Sequence, residues 1–145
     1  MIYKVTSPNS EIDFEKYFYF RWKLLRKPLN KKLGTERDSL ENSSIHRMLI
    51  DDDNNVMAVG RLHYNNNNEA QIRYFAVDHD NRRMGLGSYL MNDLESIAKK
   101  TNHTEVILNA RENAVIFYKN LGYEVVKESY ILFDKIQHFE MKKVL

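Results

Sequence analysis

Residues 71–100 read QIRYFAVDHDNRRMGLGSYLMNDLESIAKK, and this stretch contains the local signals that decide the fold. Its first part, Gln71–Val77, is rich in aromatic and β-branched residues and short enough for a β-strand. A polar turn follows, and then the basic, glycine-containing segment Arg82–Gly87. Apolar residues then recur at helical spacing, at Leu86, Leu90, Leu94, Ile97 and Ala98. The stretch is therefore predicted to form a strand, a basic loop and a helix, in that order.

The basic loop in front of this helix has the properties of an anion site. The first N–H groups of a helix have no partner within it, and the helix dipole puts partial positive charge there. Gly85 and Gly87 have no Cβ, so a ligand can approach the backbone closely, and Arg82 and Arg83 add charges that suit phosphate oxygens. A bound diphosphate is one interpretation. An ordinary tight turn with solvated arginines is the other, and the spacing alone does not decide between them.

Length and composition restrict the class of protein. The chain has 145 residues, enough for one domain (1–145) with its own core, and a net charge of only +2, which indicates no nucleic-acid partner. The absence of cysteine excludes disulfides, thiolate metal sites and a cysteine nucleophile. The sequence shows no membrane-length apolar run and no signal-peptide pattern, so we expect a cytoplasmic protein with no membrane partner.

The rest of the chain alternates between strand and helix patterns. Polar turns such as Asp52–Asn55 separate the apolar runs, and residues 30–44 form a polar loop that could contain one short helix. Strands are predicted at Met1–Thr6, Ile45–Asp51, Val56–Tyr64, Glu105–Leu108, Tyr123–Tyr130 and Gln137–Lys143, and helices at Glu11–Arg26 and Asn113–Leu121. This order predicts a mixed α/β sheet with helices on its faces.

Two motifs resemble those of the GNAT N-acetyltransferase superfamily. Val77-x-x-x-x-Arg82-x-x-Gly85-x-Gly87 looks like its acetyl-CoA pyrophosphate loop, and Ala114-x-x-Phe117-Tyr118-x-x-x-Gly122-Tyr123 looks like its A-x-x-F-Y-x-x-x-G-F/Y segment. The segments Ile107–Arg111 and Ile136–Met141 are similar to a small bacterial branch with an I-P-H-x-x-M-like C-terminal strand. That branch also carries a D-x-L-E-x-x-S-x-H stretch, matched here by Asp38, Leu40, Glu41, Ser44 and His46.

The resemblance implies an acyl-CoA N-acyltransferase fold of about seven strands and four helices, in which the fourth and fifth strands splay apart. It also implies acetyl-CoA as acyl donor, a primary amine of a small molecule or a protein amino group as acceptor, and a possible homodimer. The residues that would then contact acetyl-CoA are Phe75, Ala76, Val77, Arg82, Arg83, Met84, Gly85, Leu86, Gly87, Ser88, Asn109, Ala114 and Phe117. Arg111 stands where many family members have a cofactor-contacting Asn, and Asn109 or Asn113 could substitute for it.

Tyr118 is the candidate general acid for the departing thiolate. A phenol has a reference pKa of about 10 and a thiol of about 8.5, so the phenol keeps a proton to donate at neutral pH. Tyr118 also shares a helix face with Ala114, Phe117 and Leu121, so from the residues alone it could equally be a core aromatic. The resemblance favours the catalytic role.

The general base is not marked by the usual residue. Many family members place a glutamate on the fourth strand, where this chain has Gln71 and Arg73, neither of which accepts a proton near neutral pH. His138 matches the branch's I-P-H histidine and has a suitable reference pKa, so it is the first candidate, followed by His63 and His46. Each of these could instead be a hydrogen-bonded structural histidine. Arg73 could then bind an acidic group of the acceptor.

Three acidic residues in the polar loop, Glu36, Asp38 and Glu41, could attract a cationic amine or could simply be solvated. The spacing of His, Asp and Glu suggests no metal site. Two alternatives to an acetyltransferase stay open: a non-catalytic acyl-CoA-binding module, because the strand glutamate is missing, and an interaction scaffold in which the anion loop is incidental.

Overall fold

A seven-stranded mixed sheet organises the described part of the chain, which in this computed structural model is residues 2–145 without the side chains of residues 81–83. The strands are β1 (Lys4–Thr6), β2 (Ile45–Ile50), β3 (Val56–Tyr64), β4 (Glu69–Val77), β5 (Glu105–Arg111), β6 (Glu124–Leu132) and β7 (Ile136–Val144). The helices are α1 (Glu11–Leu25), α2 (Leu86–Lys100) and α3 (Val115–Asn120). The strand order β1-β2-β3-β4-β5-β7-β6 is antiparallel except where β4 and β5 pair in parallel.

The predicted fold class is confirmed, with one difference in the helices. Within the described residues there are three α-helices rather than four, because the polar loop contains only the short 3-10 turn Glu41–Ser43. This loop has no apolar stripe that could bury a helix against the sheet. Strand β5 is also longer than predicted and continues to Arg111, because Ala110 is buried and extends the alternation of inward and outward side chains.

The parallel pair β4 and β5 splays apart as expected. Their residues pair from Glu69 with Glu105 to Ile72 with Leu108, and the pairing ends there. Strand β4 continues alongside β3 to Val77, whereas β5 continues alongside β7 to Arg111. The sheet therefore has a V-shaped opening between the two strands, and backbone groups of β4 that face β5 beyond Ile72 have no strand partner.

A β-bulge in β4 lies beside this opening. Between the pairs Val59–Ala76 and Arg61–Arg73, β4 has one residue more than β3. Tyr74 takes up the extra length with a left-handed backbone, φ +54°. The facing residue is Gly60, where an added Cβ would lie 2.8 Å from Leu94 Cδ1 of α2, so the close contact between sheet and helix requires glycine here.

Candidate active site

A cavity of about 110 Å³ lies at the V-shaped opening. The end of α1, strands β4 to β7 and the start of α3 all contribute side chains to it. Its lining residues are Leu25, Arg26, Gln71, Ile72, Arg73, Tyr74, Phe75, Leu108, Asn109, Arg111, Ala114, Tyr118, Tyr130, Leu132 and His138. Both predicted catalytic residues, Tyr118 on α3 and His138 on β7, are therefore brought to one cavity.

The predicted cofactor-binding residues divide between this cavity and the start of α2. Phe75, Asn109 and Ala114 line the cavity, and Phe117 stacks on Phe75 with ring centroids 6.0 Å apart. The Ala76 side chain instead packs in the α1-side core, so only its backbone can face the opening. Asn113 is exposed and lies outside the lining, so Asn109 is the amide that could take the place of the family's usual Asn.

The start of α2 has no side-chain cap among the described residues. Gly85 precedes the helix with φ +76° and brings no side chain to cap it, while Met84 is exposed and Leu86 is buried in the core. At Gly87 an added Cβ would lie 3.0 Å from Phe117 Cζ and 3.2 Å from Val77 Cγ2. Packing between α2, α3 and β4 therefore already explains Gly87. Arg82 and Arg83 lie outside the described side chains, so their phosphate contacts stay predictions, as does the place of Ser88 in the site.

Tyr118 sits at the buried end of the cavity. It is 7% exposed, its ring packs against Phe117 and Tyr123 with centroids 5.0 and 5.9 Å away, and no hydrogen bond to its hydroxyl group is found within the described residues. Burial raises its pKa well above the usual value of 10, and the nearby Arg111 charge partly offsets this. Tyr118 therefore keeps its proton at neutral pH. The structure places Tyr118 both in the core and at the cavity, so its position is compatible with either interpretation of the sequence, and its catalytic role stays a prediction.

His138 is held in one tautomer. Its Nδ1 lies 3.0 Å from the Ile136 carbonyl oxygen, which can only accept, so Nδ1 carries the proton and Nε2 has the lone pair in the neutral ring. The ring stacks on Tyr130 with centroids 4.4 Å apart. Desolvation by burial lowers the pKa of His138 below 6.5, the Ile136 hydrogen bond opposes this, and the charges of Arg111, Arg26 and Arg73 lower it further. His138 is therefore neutral, and able to accept a proton, at pH 7.

The other two histidine candidates lie away from the cavity. His46 donates from Nε2 to the Glu41 carbonyl oxygen at 2.7 Å and accepts from the Tyr17 hydroxyl group at 2.8 Å. The Nδ1 atom of His63 lies 3.4 Å from an Nη atom of Arg61. Because a guanidinium group can only donate, this Nδ1 atom is the acceptor. Neither lines the cavity. Both are structural histidines, as the alternative reading of the sequence allowed.

The acidic residues of the polar loop have partners within the protein, and Glu36 is buried and accepts from the Gly34 N–H group at 2.7 Å. Asp38 binds Arg61 through both carboxylate oxygens, at 2.6 and 3.0 Å, and also binds Arg73 at 2.8 Å. Glu41 bridges Arg21 and Arg61, each at 3.0 Å. These ion pairs fasten the loop to α1 and to the sheet, and Arg21 and Arg61 are fully buried beneath it. Asp38 thus couples the loop to Arg73 at the cavity.

Two cavity arginines were not predicted as site residues, Arg26 and Arg111. Arg26 donates to the Thr35 and Leu25 carbonyl oxygens at 3.0 and 3.1 Å, and Arg111 donates to the same Leu25 oxygen at 2.9 Å. Neither forms an ion pair with a carboxylate in the described part of the chain. With Arg73, they give the cavity three guanidinium groups, and none of its lining residues is Asp or Glu. Nothing in the local sequence around Arg26 marks it, because only packing brings the end of α1 to β5.

Two structural features are absent from the described residues. No group of three or more His, Cys, Asp or Glu side chains could hold a metal ion there. No helix among those residues has the length and apolar character needed to cross a membrane.

The chain is similar to known proteins along nearly its whole length. A family model for the acetyltransferase (GNAT) domain matches residues 27–145. The Bacillus subtilis (strain 168) protein called uncharacterized N-acetyltransferase YjcF is 32% identical over 140 residues, which cover 97% of this chain and 99% of YjcF.

Solved structures share the fold at low sequence identity. An acyl-CoA N-acyltransferase from Pseudomonas aeruginosa superposes with a TM-score of 0.81 at 21% identity, covering 98% of each chain. A GNAT family acetyltransferase from Elizabethkingia anophelis, solved with acetyl-CoA bound, gives a TM-score of 0.76 at 10% identity and covers 99% of this chain and 98% of its own.

Proposed function

Because the chain belongs to the GNAT acetyltransferase family and is an acyltransferase, we propose that it transfers the acetyl group of acetyl-CoA to the amine of a small molecule that also carries an anionic group. The observation that supports this most is the convergence of Tyr118, His138 and three arginines on one cavity at the splayed strands. This arrangement combines a proton donor, a proton acceptor and a cationic wall.

The described residues fit an acyl-CoA donor. The V-shaped opening offers β4 backbone groups without strand partners, and Gly85 precedes α2 without a side-chain cap for the first N–H groups of the helix. Phe75, Ala76, Val77 and the segment 82–88 would hold the donor, and Asn109, Ala114 and Phe117 would bound it on the β5 and α3 side. Acetyl-CoA would supply an acetyl group activated as a thioester.

The chain's own groups would then manage charge and protons. N–H groups next to the Tyr74 bulge would offset the negative charge that develops on the carbonyl oxygen during acyl transfer. His138 Nε2 would take the proton that the amine must lose, directly or through one water molecule. The Tyr118 hydroxyl group would donate a proton to the departing thiolate, and the Arg111 charge beside it would favour that donation.

The cationic wall is the reason for an anionic acceptor. Three guanidinium groups line the cavity, and Arg26 and Arg111 have no carboxylate partner among the described residues. A partly buried charge without a partner is costly, and guanidinium groups match carboxylate and phosphate oxygens in shape. A cationic amine without an anionic group would instead be repelled by this wall.

The non-catalytic alternative was based on the missing strand glutamate. His138 supports a catalytic protein instead, because its neutral imidazole, with the Nε2 lone pair, lines the same cavity as Gln71 and Arg73. A binding module would bind acetyl-CoA but would not release CoA with any amine.

Two measurements test the proposal. Isothermal titration of acetyl-CoA reports donor binding, and a thiol assay reports CoA release with matched pairs of amines: β-alanine with propylamine, and O-phosphoethanolamine with ethanolamine. We expect turnover with one or both of the amines that carry an anionic group and little with the partner that lacks it. Acetyl-CoA binding with no release for any amine supports the binding module. Faster turnover of the partners without an anionic group contradicts an anionic acceptor.

A further inference from the structure

One aromatic ring, that of Tyr74, lies close to four arginine side chains. The distances from its centroid to the guanidinium carbons are 4.4 Å for Arg21, 4.6 Å for Arg73, 5.0 Å for Arg61 and 5.6 Å for Arg26. Tyr74 is 7% exposed and lines the cavity. A single ring therefore meets both the buried arginines under the polar loop and two of the arginines on the cavity wall.

The four cations are not equally neutralised. Arg21 and Arg61 are fully buried and have Glu41 and Asp38 as partners. Arg73 shares Asp38 with Arg61, whereas Arg26 has no carboxylate partner among the described residues and bonds to the Thr35 and Leu25 carbonyl oxygens and to the Tyr74 side chain. Like charges repel, whereas the face of an aromatic ring attracts cations. The Tyr74 ring thus contacts both Arg73 and Arg26.

The β-bulge in β4 explains why the Tyr74 ring lies on the face of the sheet that α1 and its Arg21 cover. Ile72 and Ala76 are four residues apart, an even number, and would share a face of a regular strand. Instead Ile72 packs in the core cluster that contains Leu90, and Ala76 packs in the cluster that contains Tyr17 of α1. The left-handed backbone of Tyr74 makes this change of face, and its side chain meets Arg21 of α1.

We propose that Tyr74 is a positioning residue for acceptor binding: its ring holds the guanidinium groups of Arg73 and Arg26 in place to bind the anionic group of the acceptor. This inference rests on the proposed function. Tyr74 would then have two roles. Its backbone forms the bulge beside the thioester, and its side chain contributes to acceptor affinity.

Two variants separate the ring from the volume it fills. Tyr74→Phe keeps the ring, whereas Tyr74→Leu keeps much of the bulk without an aromatic face. With the better anionic amine, we expect Tyr74→Leu to raise KM about tenfold with kcat changed less than about threefold, and Tyr74→Phe to resemble wild type. The KM for the matched amine without an anionic group and the Kd for acetyl-CoA should not change. An unchanged KM in Tyr74→Leu, or an equal rise for the amine without an anionic group, overturns the proposal.

A second measurement does not need turnover. Inorganic phosphate, used as the anion probe, should raise the Tm of wild type and of Tyr74→Phe, and should raise that of Tyr74→Leu much less. Equal shifts in all three proteins overturn the proposal even if no amine is acetylated, whereas the proposed function fails separately if wild type releases no CoA. If Tyr74→Leu does not fold, Tyr74→Gly replaces it, since glycine accepts φ +54°. Should both fail to fold, the role of Tyr74 is structural and the proposal is wrong.

Discussion

His138 on β7 lies directly opposite Arg111 on β5 in the antiparallel register, so a candidate base and a permanent cation form one cross-strand pair. Desolvation is the largest cause that lowers the pKa of His138 below 6.5, and the charge of Arg111 acts in the same direction. Arg26 from the end of α1 and Arg73 from β4 add to it, while Tyr130 of β6 stacks on the ring. Burial and the three arginine charges thus together keep the imidazole unprotonated.

This pair predicts the acid limb of the pH–rate profile. Protonation removes the base, so kcat/KM falls as the pH falls through the His138 pKa, and we expect that limb below pH 6.5. Arg111→Gln removes a charge that lowers this pKa. The acid limb should therefore move to higher pH in this variant. A loss of acceptor affinity would lower kcat/KM at every pH and would not move the limb. A limb that keeps its position in Arg111→Gln would show that another group controls it.

Replacing His138 tests the base itself. His138→Gln should lower kcat by about 10²–10⁴-fold, the usual contribution of a general base, with the acetyl-CoA Kd unchanged. His79→Gln is the matched control, because His79 is exposed and lies outside the cavity lining. Steady-state kinetics and isothermal titration give the two quantities. A normal rate in His138→Gln would exclude this residue as base.

Tyr118→Phe removes only the hydroxyl group of the candidate acid. We expect kcat to fall by about 10²-fold or more while the acetyl-CoA Kd stays the same, because the ring packing with Phe117 is kept. Tyr123→Phe is the control. Its hydroxyl group donates to a Glu95 carboxylate oxygen at 2.8 Å, and Tyr123 does not line the cavity. Loss of this hydroxyl group should therefore cost about 1 kcal/mol of stability and leave kcat unchanged. Normal turnover in Tyr118→Phe would assign thiolate protonation to another group.

The two glycines before and in α2 should respond differently to substitution. Gly85→Ala meets no atom within 4 Å, so its cost is the left-handed backbone alone, about 1–2 kcal/mol, and Gly85→Asn should cost less. Gly87→Ala keeps the helical backbone but presses on Phe117, which should cost about 1–3 kcal/mol. Urea unfolding measures all three. Equal stabilities for Gly85→Ala and Gly85→Asn would contradict the backbone explanation.

Asp38 should make stability depend on acid pH. Desolvation raises its pKa, but the hydrogen bonds from Arg61 and the Leu40 N–H and the charges of Arg61 and Arg73 outweigh this and lower the pKa from 3.8 to about 2. A carboxyl group with a lowered folded-state pKa stabilises the fold above its unfolded-state pKa, and that contribution is lost as the pH falls from about 4 through 2. The loss should be about 2 kcal/mol. Asp38→Asn should be less stable at pH 7 and should lack this component between pH 4 and 2. An identical pH dependence in both proteins would contradict the pairing.

Local patterns in the sequence determined most of the fold. The strand–loop–helix order of residues 71–100, the apolar face of α2 from Leu86 to Ala98 and the turn at Asp52–Asn55 each depend on neighbours a few residues apart. Such short-range periodicity and turn chemistry act before any tertiary contact forms. The two motifs with their spacing then identified the family, and they placed Tyr118 on the right helix face.

Tertiary structure alone decided which charges line the cavity. Arg26, Arg73 and Arg111 lie on three elements far apart in sequence, and only the packing of α1 beside the splayed strands brings them together. Asp38 could have been solvated, but its place over Arg61 on β3 pairs it instead. The charge of a cavity is the sum over side chains that are close in space but far apart in the sequence. No local sequence pattern encodes that sum. The sequence specified the elements, and their packing specified which charges meet.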